Sequence, residues 1–202
     1  MFVVAHPAIA LTAHKCINGV VKMNGKRVFI GIPASRELAE AAGAFRRSHI
    51  DMQVRWVKPE NLHLTLVPPW ECRDVEPVCR AIKEAAIGLD SVDVLFNKVS
   101  FGPEPRRPRL IWATGAPPAA LAELSLRLQA LAGIEEDDRR SFLLHLTLAR
   151  FNSLDLRSMA SKKLRETVEW NGTLDAICLY ESIMKPGGAE YVELCRAGFD
   201  GL

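Results

Sequence analysis

Residues 62–66 read LHLTL, and residues 144–148 read LHLTL again. The longer stretches are NLHLTLVPPW at 61–70 and LLHLTLARFN at 143–152. In an extended strand side chains alternate faces, so His63 and Thr65 point one way while Leu62, Leu64 and Leu66 point the other. The second copy sets His145 and Thr147 against Leu144, Leu146 and Leu148 in the same manner. Each copy therefore anchors itself in a core by leucine and offers an imidazole and a hydroxyl on its opposite face.

Similar surroundings flank the two copies. RVFIGIP, from Arg27, is an apolar, β-branched and aromatic run closed by Pro33 and reads as a strand. ASRELAEAAGAFRRSHI follows with Ser35 as N-cap and apolar residues at helical spacing. QVRWVKPENLHLTLVPPW alternates like strands around a turn at Pro59, Glu60 and Asn61. DVEPVCRAIKEAAIGL reads as a helix, VDVLFNKVSFGP and RLIWATG as strands, and PPAALAELSLRLQALAGI as a helix opened by prolines. After the acidic loop EEDD and the second LHLTL come a polar helix near LRSMASKKLRETV and strands in TLDAICLYES and AEYVELCRA. The order strand, helix, strand, strand, helix, strand, followed by a similar series, predicts an α+β fold. A duplicated α+β unit is expected, with sheets largely antiparallel or mixed and not doubly wound parallel.

The chain has 202 residues, 49% hydrophobic and 25% charged, with a net charge of +2. That suits one large compact domain or two small lobes, argues against a disordered tail, and requires any anionic partner to be gripped locally. Residues 27–202 are expected to form a single two-lobed domain. Residues 1–26 are an N-terminal extension without clear period, read either as a poorly ordered appendage or as an upstream reading of the start before Met23. MFVVAHPAIALTA lacks a basic leader segment, contains His6 and Pro7 and is too short to span a bilayer, so no membrane association is expected. Five scattered cysteines, Cys16, Cys72, Cys79, Cys178 and Cys195, include no CxxC pair. They argue against a disulfide framework or a zinc ribbon and fit a reducing cytoplasm.

Histidine titrates near neutrality, so of two rings facing one substrate a neutral one can accept a proton while a protonated one donates. In-line displacement at phosphorus wants a base at the attacking oxygen, an acid at the leaving oxygen, and donors to the oxygens between them. Thr65 and Thr147 are placed to be those donors. A single histidine in a strand is more often a packing residue, but packing alone would accept many residue types at both positions. Metal ligation is disfavoured because HExxH is missing and no carboxylate stands at ligand spacing. Neither GxxxxGK[ST] nor GxGxxG occurs, which speaks against a nucleoside-triphosphate enzyme of the usual kind.

The pair of HLTL motifs, at 63–66 and 145–148, resembles the HxTx motifs of the two-histidine phosphoesterase superfamily, and within it the RNA 2',3'-cyclic phosphodiesterases, also called the 2'-5' RNA ligase family. RVFIGIP, ENLHLTL, FGPEPRRPRLIWATG, FLLHLTLAR and LYESIMKPGGAEY carry the resemblance from Arg27 to about Arg196. It implies a bilobal duplicated α/β unit with two mostly antiparallel sheets around a central groove, and hydrolysis of a terminal RNA 2',3'-cyclic phosphate to a 2'-phosphate without metal or nucleotide cofactor. His63 would be the proton donor and His145 the proton acceptor. RNA ends or small 2',3'-cyclic phosphates are the implied partners, and a monomer is expected. The chain departs from the family pattern at Val67, Pro68, Pro69 and Trp70, where a Phe-Leu-Gly-like turn is usual, and at Leu144, where proline is frequent.

Arg150 matches the family's arginine after the second motif and is expected to hold phosphate. It lies five residues after His145, an odd number, so a bend or the strand end is required to aim it. Arg107, with Arg106 and Arg109, could extend a positive rim for RNA, although such a run is usually a solvated loop. Trp112 and Phe142 could stack on a base, although aromatic residues in strands are usually core. Lys162, Lys163 and Arg165 read as the wet face of a helix, and His6, His14 and His49 as surface residues. Two other readings stay open: a binding module that holds RNA ends or phosphates without turnover, and an enzyme acting on another cyclic phosphate.

Overall fold

A computed structural model describes residues 25–104, 106–152, 163–186 and 188–199. Nearly all of the proposed N-terminal extension, with His6, His14 and Cys16, lies outside them. The expected first strand is β1 (Lys26–Pro33), followed by α1 (Arg36–Ser48) and a short β2 (Arg55–Trp56). A single 3-10 turn at Pro59–Asn61 leads into β3 (His63–Cys72), then α2 (Glu76–Ala86), β4 (Val92–Gly102) and β5 (Leu110–Thr114). Next come α3 (Ala119–Leu131), β6 (His145–Arg150), β7 (Arg165–Leu174), β8 (Ala176–Lys185) and β9 (Gly188–Gly198).

The described strands form two sheets, one in the order β3-β1-β8-β9 and one in the order β2-β6-β5-β4-β7. Every pairing is antiparallel, as the hairpin-like spacing predicts. The pair β1/β3 in one sheet repeats as β5/β6 in the other, and β3 and β6 pack against each other. α2 packs on β8 and β9, α3 on β3, and α1 on β7 of the other sheet. Leu64, Leu144 and Leu146 are fully buried in the shared core, as the alternation requires. Pro68 and Pro69 are exposed on β3, a strand at the end of its sheet's order, where a missing N–H costs no ladder bond.

Three expectations need correction. The polar helix near LRSMASKKLRETV is not found in its described part, because Arg165–Leu174 is strand β7. RETVEW alternates exposed and half-buried residues and pairs with β4 through Val99↔Glu166 and Ser100↔Arg165, so ladder pairing overrides local helix preference. Arg165 thus sits on a strand, and Lys162 lies outside the described residues. His49 is not a bare surface residue: its ring stacks on Phe45 with centroids 4.1 Å apart, and Nε2 lies 2.8 Å from Glu166 Oε1. Finally, Cys79 and Cys195 form a disulfide with Cα atoms 6.0 Å apart. They are 116 residues apart in sequence and are brought together by α2 on β9, a juxtaposition no local spacing reveals.

A buried polar chain ties the lobes together. Ser125 and Gln129 of α3 are each 1% exposed. Ser125 Oγ donates to the Leu66 carbonyl at 2.7 Å, and Gln129 Nε2 donates to Ser125 Oγ at 3.1 Å and to the Arg140 carbonyl at 2.9 Å. Gln129 Oε1 accepts from the Arg140 amide at 2.9 Å. The chain thus runs from the first histidine strand to the loop before the second. Gln129→Leu keeps the volume and removes three of these bonds, so it should lower stability by about 1–3 kcal/mol in denaturant unfolding. An unchanged unfolding midpoint would show that the chain holds nothing.

Candidate active site

The two histidine strands carry the same irregularity. Along β1 and β3, Ile30 pairs with Val67 but Gly31 with Thr65, which leaves Leu66 as an extra residue. Along β5 and β6, Ile111 pairs with Ala149 but Trp112 with Thr147, which leaves Leu148 extra. These are β-bulges at equivalent positions, and each resets the in-and-out alternation by one residue. The burial patterns agree: both runs begin half-buried, buried, half-buried, buried, buried, exposed. The carbonyl of each bulged residue finds a donor, Ser125 Oγ for Leu66 and the Val57 amide at 2.8 Å for Leu148.

The bulge answers the parity question at Arg150. Because Leu148 is extra, Arg150 returns to the face that carries His145 and Thr147. Its guanidinium is exposed, acts electrostatically on both histidines, and has no carboxylate partner among the described residues. The equivalent position in the first lobe is Pro68, so the repeat is asymmetric in charge. The hydroxyls of Thr65 and Thr147, both half-buried, likewise have no hydrogen-bond partner among the described residues.

Each imidazole is anchored by the backbone two residues earlier. His63 Nδ1 donates to the Asn61 carbonyl at 2.7 Å, and His145 Nδ1 to the Leu143 carbonyl at 2.9 Å. A carbonyl can only accept, so Nδ1 carries the proton in both rings and Nε2 is the atom free to exchange one. The preceding leucines are pinned in parallel fashion, with the Ala34 amide on the Leu62 carbonyl at 2.9 Å and the Gly115 amide on the Leu144 carbonyl at 3.3 Å. Both rings also have aromatic walls. His63 lies 4.7 Å from Phe29 and 5.0 Å from Tyr191 between ring centroids, and His145 lies 5.4 Å from Trp112. Gly31 lies beneath the first ring: a Cβ there would come 2.8 Å from the Leu64 carbonyl oxygen, so the close approach requires glycine.

Burial is the main force holding both histidines neutral. His63 is pushed down to about 4 by burial, with smaller contributions from the positive charges of His145 and Arg150, while the Asn61 carbonyl acts the other way. His145 is lowered by burial and then by Arg150, against the Leu143 carbonyl. The ordinary value is 6.5, so between pH 6.5 and 4 the unfolded chain takes up a proton at His63 that the folded protein refuses. The contribution to stability is complete above pH 6.5, falls as the pH drops through this window, and levels off below 4. The gap corresponds to about 3 kcal/mol. Unfolding measured from pH 7 to pH 4 should show this slope in the wild type and its loss in His63→Ala; equal slopes would refute the burial account.

Next to the histidines, a groove of about 560 Å³ opens between the segment from Arg55 to Asn61, Arg150, and the β8–β9 turn with Tyr191. Arg55, Lys58 and Tyr191 are groove residues that the sequence reading missed. Arg55 and Tyr191 come from strands whose neighbours are set by the fold, and Lys58 from a turn. Trp112 pairs with Thr147 and is not among the groove-lining residues; its ring is engaged with His145 and covers Gly102, where a Cβ would overlap it at 2.2 Å. Phe142 is 8% exposed and belongs to the core, so its face is not offered to a base, a correction to the stacking role. Arg107 is exposed in the β4–β5 loop and is not among the groove-lining residues. No group of three metal-ligating side chains occurs among the described residues, and no described helix is long and apolar enough to cross a membrane.

Known proteins resemble the chain in sequence and in fold. The family model described as LigT like Phosphoesterase matches residues 30–112. The chain is 26% identical to the RNA 2',3'-cyclic phosphodiesterase of Aquifex aeolicus over 176 residues, 82% of this chain and 93% of the relative. The crystal structure of TT0787 from Thermus thermophilus superposes with a TM-score of 0.72 at 21% identity, covering 87% of this chain and 98% of that one. E. coli LigT complexed with 3'-AMP superposes with a TM-score of 0.66 at 24% identity, covering 87% and 99%. With one HxTx strand in each half of a duplicated α+β fold, the chain resembles the two-histidine phosphoesterase superfamily, a likeness that the family model, the curated relative and the shared fold all support.

Proposed function

We propose that the protein hydrolyses RNA 2',3'-cyclic phosphate ends to 2'-phosphates by histidine acid-base catalysis. The observation that carries this reading is the pair of imidazoles with identical Nδ1 anchoring, which leaves two Nε2 atoms for proton exchange. Water attacks phosphorus as His145 Nε2 takes its proton; the bond from phosphorus to O3' breaks as His63 Nε2 donates a proton to that oxygen. The order of donor and acceptor follows the family resemblance, since the two rings are held alike. Thr65 and Thr147 donate to the non-bridging oxygens, and Arg150 balances the charge gathering there. The bound anion offsets Arg150 and raises both imidazoles, which supplies the protonated donor that the free protein lacks.

The similarity to the Aquifex RNA 2',3'-cyclic phosphodiesterase supports the substrate class. A monomer in the cytoplasm, taking part in RNA processing, completes the proposal. The deciding assay incubates the protein with 2',3'-cyclic phosphates in chelator and identifies the product. A 2'-phosphate is expected. A 3'-phosphate would reverse the bond broken, a strict metal requirement would overturn the mechanism, and tight binding without turnover would favour a binding module.

A further inference from the structure

The register places two arginines against each other: Arg55 of β2 pairs with Arg150 of β6. Like charges directly opposite across a ladder repel, and neither guanidinium has a carboxylate partner among the described residues. Three residues on, Lys58 is also exposed and lines the same groove. Lys185 at the far side is paired with Glu190, so it neutralises the one carboxylate lining the groove. Trp56 and Tyr191 supply aromatic surface between these cations. Gly188, at φ +121°, lets the β8–β9 turn approach Arg55; a Cβ there would lie 3.2 Å from Arg55 Nε. The groove shares Asn61, Arg150 and Tyr191 with the histidine site.

We infer that Arg55 and Lys58 hold the phosphodiester on the 5' side of the terminal nucleotide, so that the substrate is the end of an RNA chain and not a free cyclic nucleotide. The inference rests on the proposed function and adds substrate length to it. A terminal cyclic phosphate has chain on one side only, and a cationic groove that leaves the histidines beside aromatic surface matches that polarity. Arg150 serves the reacting phosphate, and Arg55 beside it serves the next one. Two anions held in succession remove the repulsion built into the register.

The test compares a 2',3'-cyclic mononucleotide with a short oligoribonucleotide ending in the same cyclic nucleotide. The quantity read is the ratio of their kcat/KM values, which a general loss of activity leaves alone. In the wild type the oligonucleotide should be favoured by about tenfold or more, since charge-assisted bonds to one phosphate are worth about that much. Arg55→Gln with Lys58→Gln should bring the ratio towards one. In parallel, binding of the same oligonucleotide carrying a 2'-phosphate end is measured against salt. The double variant should flatten the logarithmic slope by about 0.7 for the one phosphate it no longer neutralises. Arg55→Gln should also leave Tm unchanged or raised, whereas a structural arginine would lower it. A wild-type ratio near one, or an unaltered ratio and salt slope in the variant, overturns the inference. If neither substrate turns over, the proposed function fails, and the binding slopes still decide whether Arg55 and Lys58 hold an upstream phosphate.

Discussion

Replacing His63 or His145 by alanine is expected to lower kcat by about 10² to 10⁴ while the protein stays folded, because each ring moves one of the two protons. Both rings are half-buried, and the leucines between them and Thr65 or Thr147 carry the packing, so the substitution removes chemistry before it removes core. Glutamine at either position keeps more of the volume and separates lost packing from lost proton transfer. The losses should not add: two groups acting in one displacement fail together, so the double variant should be little worse than the poorer single one. Thermal melting of each variant checks the fold, and turnover of a cyclic-phosphate dinucleotide checks the chemistry. Undiminished hydrolysis by the double variant would sink the mechanism. The single variants also distinguish the roles, because losing the acceptor removes the lower limb of the pH-rate profile and losing the donor removes the upper limb.

The sequence made this site readable because its main signal is local. Alternation in LHLTL places His63 with Thr65 and His145 with Thr147 on one face, and the ladder bears this out. Even the bulges left a trace: Leu66-Val67 and Leu148-Ala149 are consecutive apolar pairs that interrupt strict alternation, and all four residues are buried. What could not be read was non-local. Tyr191 reaches His63 only because β9 joins the sheet of β3 through β8 and β1, and Arg55 meets Arg150 only because β2 pairs with β6. Cys79 and Cys195 were unreadable for the same reason. RETVEW was misread because a short alternating run following a lysine-rich stretch satisfies helix preferences as well as strand periodicity. Pairing with β4 decides it.

The duplication also explains why the site is not symmetric. Anchoring, bulge and threonine repeat between the lobes, but the residue two positions after the extra leucine does not: Arg150 in one copy, Pro68 in the other. A symmetric cation pair would draw phosphate equally to both sides. With one guanidinium, the phosphate oxygens have a preferred side, so the two histidines meet different oxygens of the same phosphorus. The bulge is therefore as much a part of the site as the arginine, since without the extra Leu148 the guanidinium would be turned towards the core.

Arg150→Ala is accordingly expected to lower kcat/KM by about 10² to 10³, the scale of losing one preorganised donor to charge that develops in the transition state. Arg150→Lys should recover part of this and no more, because an ammonium supplies the charge without the planar fork that spans two phosphate oxygens. A purely structural arginine predicts a fall in Tm, whereas this one is exposed and opposes Arg55, so Tm should hold or rise. The histidines give a second readout. Arg150 is one of the charges that lower both imidazoles, so its removal should raise the titration midpoints of His63 and His145 in the free protein, with burial still keeping them below the ordinary value. NMR titration of the imidazole protons measures this directly. The same variant should also show a smaller rise of those midpoints on adding inorganic phosphate, because the anion is held less tightly. Full activity in Arg150→Ala, or imidazole midpoints that do not move, would mean that the guanidinium points elsewhere and that the bulge serves packing alone.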